Sequence, residues 1–396
     1  MKRIIFLVDM NAFFISCEMS RNKSLKGKPA AVAGDPKYRS GIILAPNYEA
    51  RKYNIKTTML VHEAKKLCPD LILVPPDHKF YSQKSREVMG ILSRYTPVIQ
   101  QNSIDEAWLD LTGCTLLFGS PREIAENIMK TLMVELDLWC SIGISENKFL
   151  AKMASERKKP LGITEIWVSD IKEKIWPLPV REMYGIGKQT EKKLVEMGLF
   201  TIGDIAACDQ NILYEALGKY GIELKRLANG IDTSPVEASP VQDSKSISRS
   251  ETLARDITDL EEAKVVLMEL AEEVGIQARE QNFKGKTVSI TIRYSDFKTV
   301  TRQKTVKPTF LTKEIYKAGE KLLEENWNDK KPVRLLGIGL SSNITDKFTQ
   351  LNLFDIIESA PEGKKQEKLE LAMDSIRKRF GMDVIKRAKI LKDNDD

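Results

Sequence analysis

In residues 103–111, apolar and polar positions alternate just after two adjacent acids, Asp105 and Glu106. This period of two predicts a β-strand. One face of the strand would carry Ala107, Leu109 and Leu111, and the other would carry Trp108 and Asp110. Neighbouring side chains of a strand point to opposite faces, so both acids can serve one site only from the mouth of the strand. The turn-forming residues Asn102 and Ser103 place them there.

A second apolar run, residues 4–8, ends on Asp9. Its richness in Ile, Val and Phe predicts a buried strand. A buried carboxylate is unfavourable unless it is paired or bound to a metal, although Asp9 could also cap the helix that follows. With Asp105 and Glu106 it forms a set of three oxygen donors, which suits a hard cation such as Mg²⁺.

The predicted secondary structure differs between successive regions of the chain. Residues 1–166 mix strand and helix patterns around a central sheet, and residues 167–233 are helical. Residues 234–246 are polar with two prolines and indicate a linker, after which a second α/β module begins. A charged helix is predicted over residues 364–390. The chain as a whole is therefore predicted to be a multidomain α+β protein.

Composition narrows the class of protein. The 396 residues carry a formal net charge of +6 and a pI of about 8.8, which favours a polyanionic partner. Five scattered cysteines without metal spacing indicate reduced thiols in a cytoplasmic protein, and the two isolated histidines argue against a zinc site. No apolar run reaches about 18 residues, so no membrane span is predicted, and the acid within the N-terminal run argues against a signal peptide.

Two pairs of residues are candidates for binding a small substrate. Phe13 and Phe14 cannot share one helical face, so one can enter the core while the other lines a site. Tyr48 and Arg51 lie three residues apart on one face of a predicted helix, where a hydroxyl and a guanidinium suit a triphosphate. A surface arginine stacked on a tyrosine explains the second pair equally well.

Two other stretches are candidates for contact with nucleic acid. The turn Gly185-Ile186-Gly187 between predicted helices indicates a helix-hairpin-helix, whose backbone N–H groups can hold one phosphate. Residues 284–307 contain one acid, Asp296, among seven cations that suit a duplex backbone: Lys284, Lys286, Arg293, Lys298, Arg302, Lys304 and Lys307. A solvated sheet face is the alternative.

The C-terminal region contains a short apolar motif between a polar and a charged stretch. Its residues are Gln350, Leu351, Asn352, Leu353 and Phe354. Exposed Leu and Phe side chains behind a leading glutamine suit an anchor in a groove of another protein. The alternative is an edge segment that folds back onto its own domain.

Together these motifs resemble those of Y-family translesion DNA polymerases of the DinB/UmuC type, in the order and spacing of that family. The matching segments are Val8–Phe14, Asn47–Arg51, Ser103–Ala107, Ser145–Gly162 and the hairpin at Gly185. Asn11 is typical of the UmuC type, whereas residues 34–36 and 47–49 are closer to DinB, so the branch stays open.

The resemblance implies a right-hand polymerase in several domains. The palm, with its sheet, would comprise residues 1–10 and 78–166, and small fingers would comprise residues 11–77. A helical thumb (167–233) would contain the helix-hairpin-helix. The linker (234–246) would join it to an α/β little finger (247–345). The remaining tail (346–396) would carry the motif that binds the sliding clamp, the beta subunit, through Gln350, Leu351, Leu353 and Phe354.

The chemistry implied by the resemblance is template-directed DNA synthesis. Asp9, Asp105 and Glu106, with the Met10 carbonyl, would hold two Mg²⁺ ions about 3.5–4 Å apart. The incoming dNTP would be bound by Phe13, Phe14, Tyr48, Arg51 and Lys159, and Phe14 would be the steric gate against ribonucleotides. The expected enzyme is a cytoplasmic monomer that extends primer–template DNA past damaged bases in the SOS response, with low fidelity and no proofreading.

Two other functions share parts of this pattern. A scaffold that binds primer–template junctions without synthesis has no need of three convergent acids. A nucleotide cyclase can share a metal-binding palm, but it has no need of a helix-hairpin-helix or a basic second module. Both considerations favour the polymerase.

Overall fold

The computed structural model describes residues 2–35, 41–238, 245–343, 361–381, 384, 385 and 387, without the side chains of residues 343 and 361–364. The described chain divides into two compact units, and the division lies within the predicted linker, residues 234–246. Within the described residues, no helix combines the length and the apolar character needed to cross a membrane.

The first unit contains eight strands within the described residues. They are β1 (Ile5–Met10), β2 (Ala30–Ala33), β3 (Ile43–Pro46), β4 (Ile72–Val74), β5 (Ile99–Gln101), β6 (Glu106–Asp110), β7 (Cys140–Ser145) and β8 (Ile163–Glu165). The helices around these strands are α1 (Phe13–Arg21), α2 (Tyr48–Arg51), α3 (Val61–Leu67), α4 (His78–Leu92), α5 (Thr115–Phe118), α6 (Pro121–Leu136) and α7 (Lys148–Arg157). A helical region follows, with α8 (Ile171–Lys174), α9 (Lys188–Glu196), α10 (Ile202–Ala207), α11 (Gln210–Leu217) and α12 (Lys219–Ala228).

The central sheet of the first unit has the order β5-β6-β1-β7-β8. Strand β1 lies in the middle, antiparallel to both β6 and β7, and all six of its residues are buried. This position explains why its sequence is an uninterrupted apolar run. Strand β6 begins at Glu106, so the predicted strand after the two acids is confirmed.

Both sides of β1 are covered because apolar side chains project from each face. Phe6 and Val8 pack with Ala107 and Leu109 in the main core. Ile5 and Leu7 pack on the other side with Trp108 and with Ala151 of α7. A smaller sheet, in the order β3-β2-β4, belongs to the same unit.

The second unit consists of one sheet with helices on one face. Its elements are β9 (Ser246–Ile257), α13 (Leu260–Glu280), β10 (Gly285–Tyr294), β11 (Thr299–Thr309), α14 (Thr312–Asn326), β12 (Val333–Asn343) and α15 (Pro361–Phe380). The strand order is β11-β10-β12-β9, with every neighbouring pair antiparallel. Alternate residues of β10 enter the core: Val288, Ile290 and Ile292.

The predicted C-terminal helix, residues 364–390, is wrong in its extent. Helix α15 ends at Phe380, and Gly381 follows with a φ of 101°. A left-handed backbone of this kind ends helices and favours glycine. The chain then turns back, since the guanidinium of Arg377 donates to the carbonyl of Ile385 at 2.7 Å.

Candidate active site

The three predicted acids lie together at one end of the central sheet. Asp9 and Glu106 are directly opposite each other across β1 and β6. The backbone N–H of Met10 donates to the carbonyl of Asp105 at 2.9 Å. Glu106 is the first residue of β6 and Asp105 precedes it, so both acids lie at the strand mouth, as the sequence predicts.

The turn residues before β6 also hold the acids. The amide of Asn102 donates to Glu106 Oε1, and the hydroxyl of Ser103 donates to Asp105 Oδ1. Asn102 and Ser103 therefore fix the direction of the two carboxylates, in addition to making the turn.

Asn11 joins the end of β1 to the neighbouring parts of the site. Its amide donates to Ser141 Oγ on β7 at 3.0 Å, and its Oδ1 accepts from the backbone N–H of Leu161 at 2.9 Å. The second bond ties β1 to the loop that carries Lys159. Asn11 is 1% exposed, so we assign it a structural role in the site.

Two lysines pair with Asp9 and Glu106. Lys152 Nζ lies 2.6 Å from Glu106 Oε2 and 3.2 Å from Asp9 Oδ2. Lys159 Nζ lies 2.9 Å from Asp9 Oδ1. Both ammonium groups also contact Glu156 Oε1, at 3.1 and 3.0 Å. Lys152 could not be assigned a role from the sequence, where it is marked only by lying four residues after Lys148 on the helix that follows β7.

Burial and charge oppose each other in this cluster. Burial raises the pKa of Asp9, and the ammonium groups of Lys159 and Lys152 oppose that rise. Burial alone would lower the pKa of Lys152, but the carboxylates of Asp9, Glu106 and Glu156 raise it above its ordinary value. The pKa of Lys159 is raised for the same reason, chiefly by Asp9. The ammonium groups are therefore charged at neutral pH.

The donor set fits a divalent cation. Within the described residues no three acidic, histidine or cysteine side chains converge as a ready-made metal site. Asp9 and Glu106 instead converge on a cation of the protein itself, the Lys152 ammonium. Carboxylate oxygens that already bind one cation in a largely buried site also suit a hard metal ion.

A cavity of about 450 Å³ opens beside the acids. It brings together predicted residues from distant parts of the chain, namely Asp9, Met10, Phe13, Phe14, Tyr48, Arg51, Asp105 and Lys159. Glu106 is not part of this lining, because its carboxylate turns toward Lys152. Phe13 is buried in the core and Phe14 is half-buried, yet both reach the cavity wall.

Tyr48 and Arg51 are stacked on each other and also line the cavity, so the two alternatives, stacking and substrate binding, are compatible. The Arg51 guanidinium lies 4.8 Å from the centre of the Tyr48 ring, so the two side chains are stacked. Both also line the cavity. The Tyr48 hydroxyl is buried and has no hydrogen-bond partner among the described residues.

The Gly185–Gly187 turn is exposed in front of α9. Gly185 has a φ of 95°, which explains the need for glycine. The Tyr220 hydroxyl donates to the Gly185 carbonyl at 2.6 Å and fixes the turn.

The structure does not place the predicted cations of the second unit on one surface. Arg302 pairs with Ile290 and Lys304 with Val288, so both basic residues lie on the sheet face that carries the core. Arg293 pairs with Thr299 on the opposite face. The remaining four lie outside the regular pairing: Lys284 before β10, Lys286 at the β10 irregularity, Lys298 in the turn before β11, and Lys307 in the part of β11 opposite the irregularity.

The face that carries Arg293 is rich in hydroxyl groups. Register places three to four small polar or glycine residues of each strand on it: Ser248, Ser250 and Thr252; Gly337, Gly339 and Ser341; Thr287, Ser289 and Thr291; Thr299, Thr301, Gln303 and Thr305. This face could not be recognised from the sequence, because alternate Ser or Thr residues in three strands and glycines in the fourth come together only when the strands are paired. The predicted clamp motif, Gln350–Phe354, lies outside the described residues.

Comparisons with known proteins agree with this geometry. The family described as impB/mucB/samB matches residues 8–156, its C-terminal domain matches residues 244–353, and its helix-hairpin-helix motif matches residues 168–199. The chain belongs to the impB/mucB/samB family. DNA polymerase IV of Clostridium kluyveri is 58% identical over 99% of both chains, and DNA polymerase IV of Alkaliphilus oremlandii is 51% identical over 99% of this chain and 100% of its own.

A solved structure of a Y-family DNA polymerase chimera is similar as well. It is 26% identical, has a TM-score of 0.77, and the match covers 87% of this chain and 100% of the chimera. These findings confirm the resemblance, the right-hand polymerase fold and the enzyme class, a DNA-directed DNA polymerase of the translesion family. Membership of this family implies dependence on a divalent metal and the binding of primer–template DNA and dNTPs.

Proposed function

We propose that this chain adds dNTPs to a DNA primer at a centre of two Mg²⁺ ions held by Asp9, Asp105 and Glu106 with the Met10 carbonyl. The observation that carries the proposal is the meeting of these acids at one end of the sheet, beside the cavity. Bound there, the ions would activate the primer 3′-hydroxyl and stabilise the leaving pyrophosphate. The protein would hold the oxygen donors at fixed positions. The pairing of β1 with β6 and the side chains of Asn102 and Ser103 fix those positions.

The triphosphate is assigned to Tyr48, Arg51 and Lys159. Arg51 and Lys159 bring two positive charges to the same cavity, where they would neutralise charge as it moves during transfer. A buried hydroxyl without a partner is unfavourable, so the Tyr48 hydroxyl is a donor in need of an acceptor. A phosphate oxygen in the cavity would meet that need.

The Phe14 ring is assigned as the steric gate, with Phe13 beside it. Both line the cavity, but Phe14 is the less buried of the two. A fixed ring at the sugar position would exclude a ribose by occupying the space of its 2′-hydroxyl. Lesion bypass and the absence of proofreading follow from the family resemblance.

Contact with the duplex is assigned to both units. The backbone N–H groups at Gly185 and Gly187 would bind one phosphate, as in other helix-hairpin-helix turns. In the second unit the hydroxyl-rich face with Arg293 offers neutral donors that suit phosphate and sugar oxygens without reading sequence. Lys284, Lys286, Lys298, Arg302 and Lys304 would add long-range attraction.

The proposal extends to partners and setting. A sliding clamp would be bound by Gln350, Leu351, Leu353 and Phe354, as the resemblance of this motif suggests. The enzyme would act as a cytoplasmic monomer during the SOS response to DNA damage.

The experiment that tests the proposal is primer extension with Mg²⁺ on undamaged and abasic templates. Asp105→Asn and Glu106→Gln should each reduce incorporation by on the order of 10³-fold, because each removes a charged oxygen donor. Asp110→Asn is the matched control, since Asp110 lies on the same strand and binds the N–H of Thr112, outside the cavity. Full incorporation by the Asp105 and Glu106 variants would contradict the proposal.

A further inference from the structure

The ammonium group of Lys152 lies where the carboxylates of Asp9 and Glu106 meet. Its Nζ is within 3.2 Å of both, and the three side chains are only 11–12% exposed. An ammonium group with so little exposure to solvent requires nearby negative charges, and the two largely buried carboxylates likewise require a nearby positive charge. Lys152 thus supplies the positive charge that these two carboxylates would otherwise take from a metal ion.

A second counter-ion for Lys152 stands further out. Glu156 is four residues along α7 and contacts Lys152 Nζ at 3.1 Å, with half of its side chain exposed. It also contacts Lys159 Nζ at 3.0 Å. Lys152 therefore has an inner pair of acids and an outer acid within reach of one flexible side chain.

We propose that Lys152 is an internal counter-ion that competes with the divalent cation for Asp9 and Glu106 and passes to Glu156 when the cation binds. The inference rests on the proposed function, because it takes Asp9 and Glu106 as metal donors. The Lys152 ammonium and a divalent cation cannot both lie on the same oxygens of Asp9 and Glu106, since like charges at contact distance repel strongly where little solvent screens them. Cation binding then includes the work of moving Lys152.

The test uses Mn²⁺ alone and the full chain, with affinity measured by titration calorimetry. Lys152→Met keeps the length of the side chain and removes its charge. It should bind Mn²⁺ about tenfold more tightly, which corresponds to about 1.4 kcal/mol. In EDTA the same variant should melt at a lower temperature than the wild type, because its acids lose the Lys152 charge. Added Mn²⁺ should raise the melting temperature of the variant by more than it raises that of the wild type.

Lys148→Met is the matched control. Lys148 lies one turn earlier on α7, contacts Gln100 Oε1 at 3.1 Å and does not contact the acids. Its variant should bind Mn²⁺ like the wild type. A wild type that binds no Mn²⁺ overturns the proposed metal centre, whereas a wild type that binds and a Lys152→Met variant that binds no more tightly overturn this inference alone.

Glu156→Gln tests the transfer. In the wild-type background it should weaken Mn²⁺ binding, because Lys152 loses its outer partner and stays on the inner acids. In the Lys152→Met background most of this effect should disappear, and the difference between backgrounds isolates the coupling. An equal effect in both backgrounds would show only the general loss of one negative charge and would overturn the transfer.

Discussion

The ring of Phe14 lies almost flat on the ring of Tyr81, with centroids 4.4 Å apart and 16° between the planes. Tyr81 is fully buried, and its hydroxyl donates to Glu18 Oε1 at 2.7 Å. Glu18 in turn accepts two hydrogen bonds from Arg21, at 2.8 and 2.9 Å. The direction of the Phe14 ring is therefore set by a buried residue of α4, and a ring held this way can act as a fixed wall.

Replacing Phe14 with Ala should admit ribonucleotides. The variant loses the wall of the cavity, so discrimination between dNTP and NTP, measured as the ratio of kcat/KM values, should fall by about 10²-fold or more. Phe80→Leu is the control, because Phe80 neighbours Tyr81 but does not line the cavity. Unchanged discrimination in the Phe14 variant would remove it as the gate.

Tyr81 offers a graded test of the same wall. Tyr81→Phe keeps the stacked ring and should keep sugar discrimination, while the loss of the buried hydrogen bond to Glu18 should lower the free energy of unfolding by about 1 kcal/mol. Tyr81→Leu removes the stacking and should reduce discrimination, though less than Phe14→Ala does. Urea unfolding and kcat/KM ratios measure the two effects separately. Equal discrimination in both variants would show that Phe14 holds its position without Tyr81.

The C-terminal motif should matter only when a clamp is present. Replacing Leu353 and Phe354 with Ala should abolish stimulation of synthesis by a sliding clamp and leave basal primer extension unchanged, because anchoring side chains contribute to partner binding alone. Extension assays with and without a loaded clamp measure both activities. Equal loss of both activities would mean that the segment has a structural role.

Cys17 and Cys140 should resist alkylation in the native enzyme. Burial raises the pKa of Cys17 to about 12 and raises that of Cys140 as well. Thiolate is the reactive form, so at pH 8 a raised pKa leaves almost none of it. Cys114 and Cys208 are only half-buried and should react with iodoacetamide before Cys17 and Cys140, and mass spectrometry in native and urea-unfolded samples distinguishes the sites. Rapid native labelling of Cys17 would contradict its placement in the core.

Arg279 should be essential to the stability of the second unit. Its side chain is 2% exposed and pairs with Glu370 and Asp374 of α15, joining that helix to α13. Arg279→Met removes the counter-charge of Asp374 and one of the two arginines that pair with the buried Glu370, and it should lower the free energy of unfolding by about 3 kcal/mol. Arg94→Met, which removes an exposed pair with Glu135, should leave stability unchanged. Thermal unfolding of both variants decides the matter.

The sequence alone determined the elements on which the site is built. Burial on both faces produces an uninterrupted apolar run, which predicts β1, and the alternation of side chains that ends with Asp110 and Leu111 predicts β6. The end of the first apolar run located Asp9, and the turn residues Asn102 and Ser103 located Asp105 and Glu106 at the mouth of β6. The motif spacing then indicated the family, which the comparisons confirm.

Only the tertiary structure decided how charges meet. Lys152 contacts Asp9 across 143 residues of chain, and such a contact leaves no periodic trace in the sequence. The cations of β10 and β11 form one run in the sequence, yet strand pairing sends Arg293 and Arg302 to opposite faces. The physical reason is the same in both cases: periodicity records whether a side chain is buried, whereas its partners depend on which strands and helices come together.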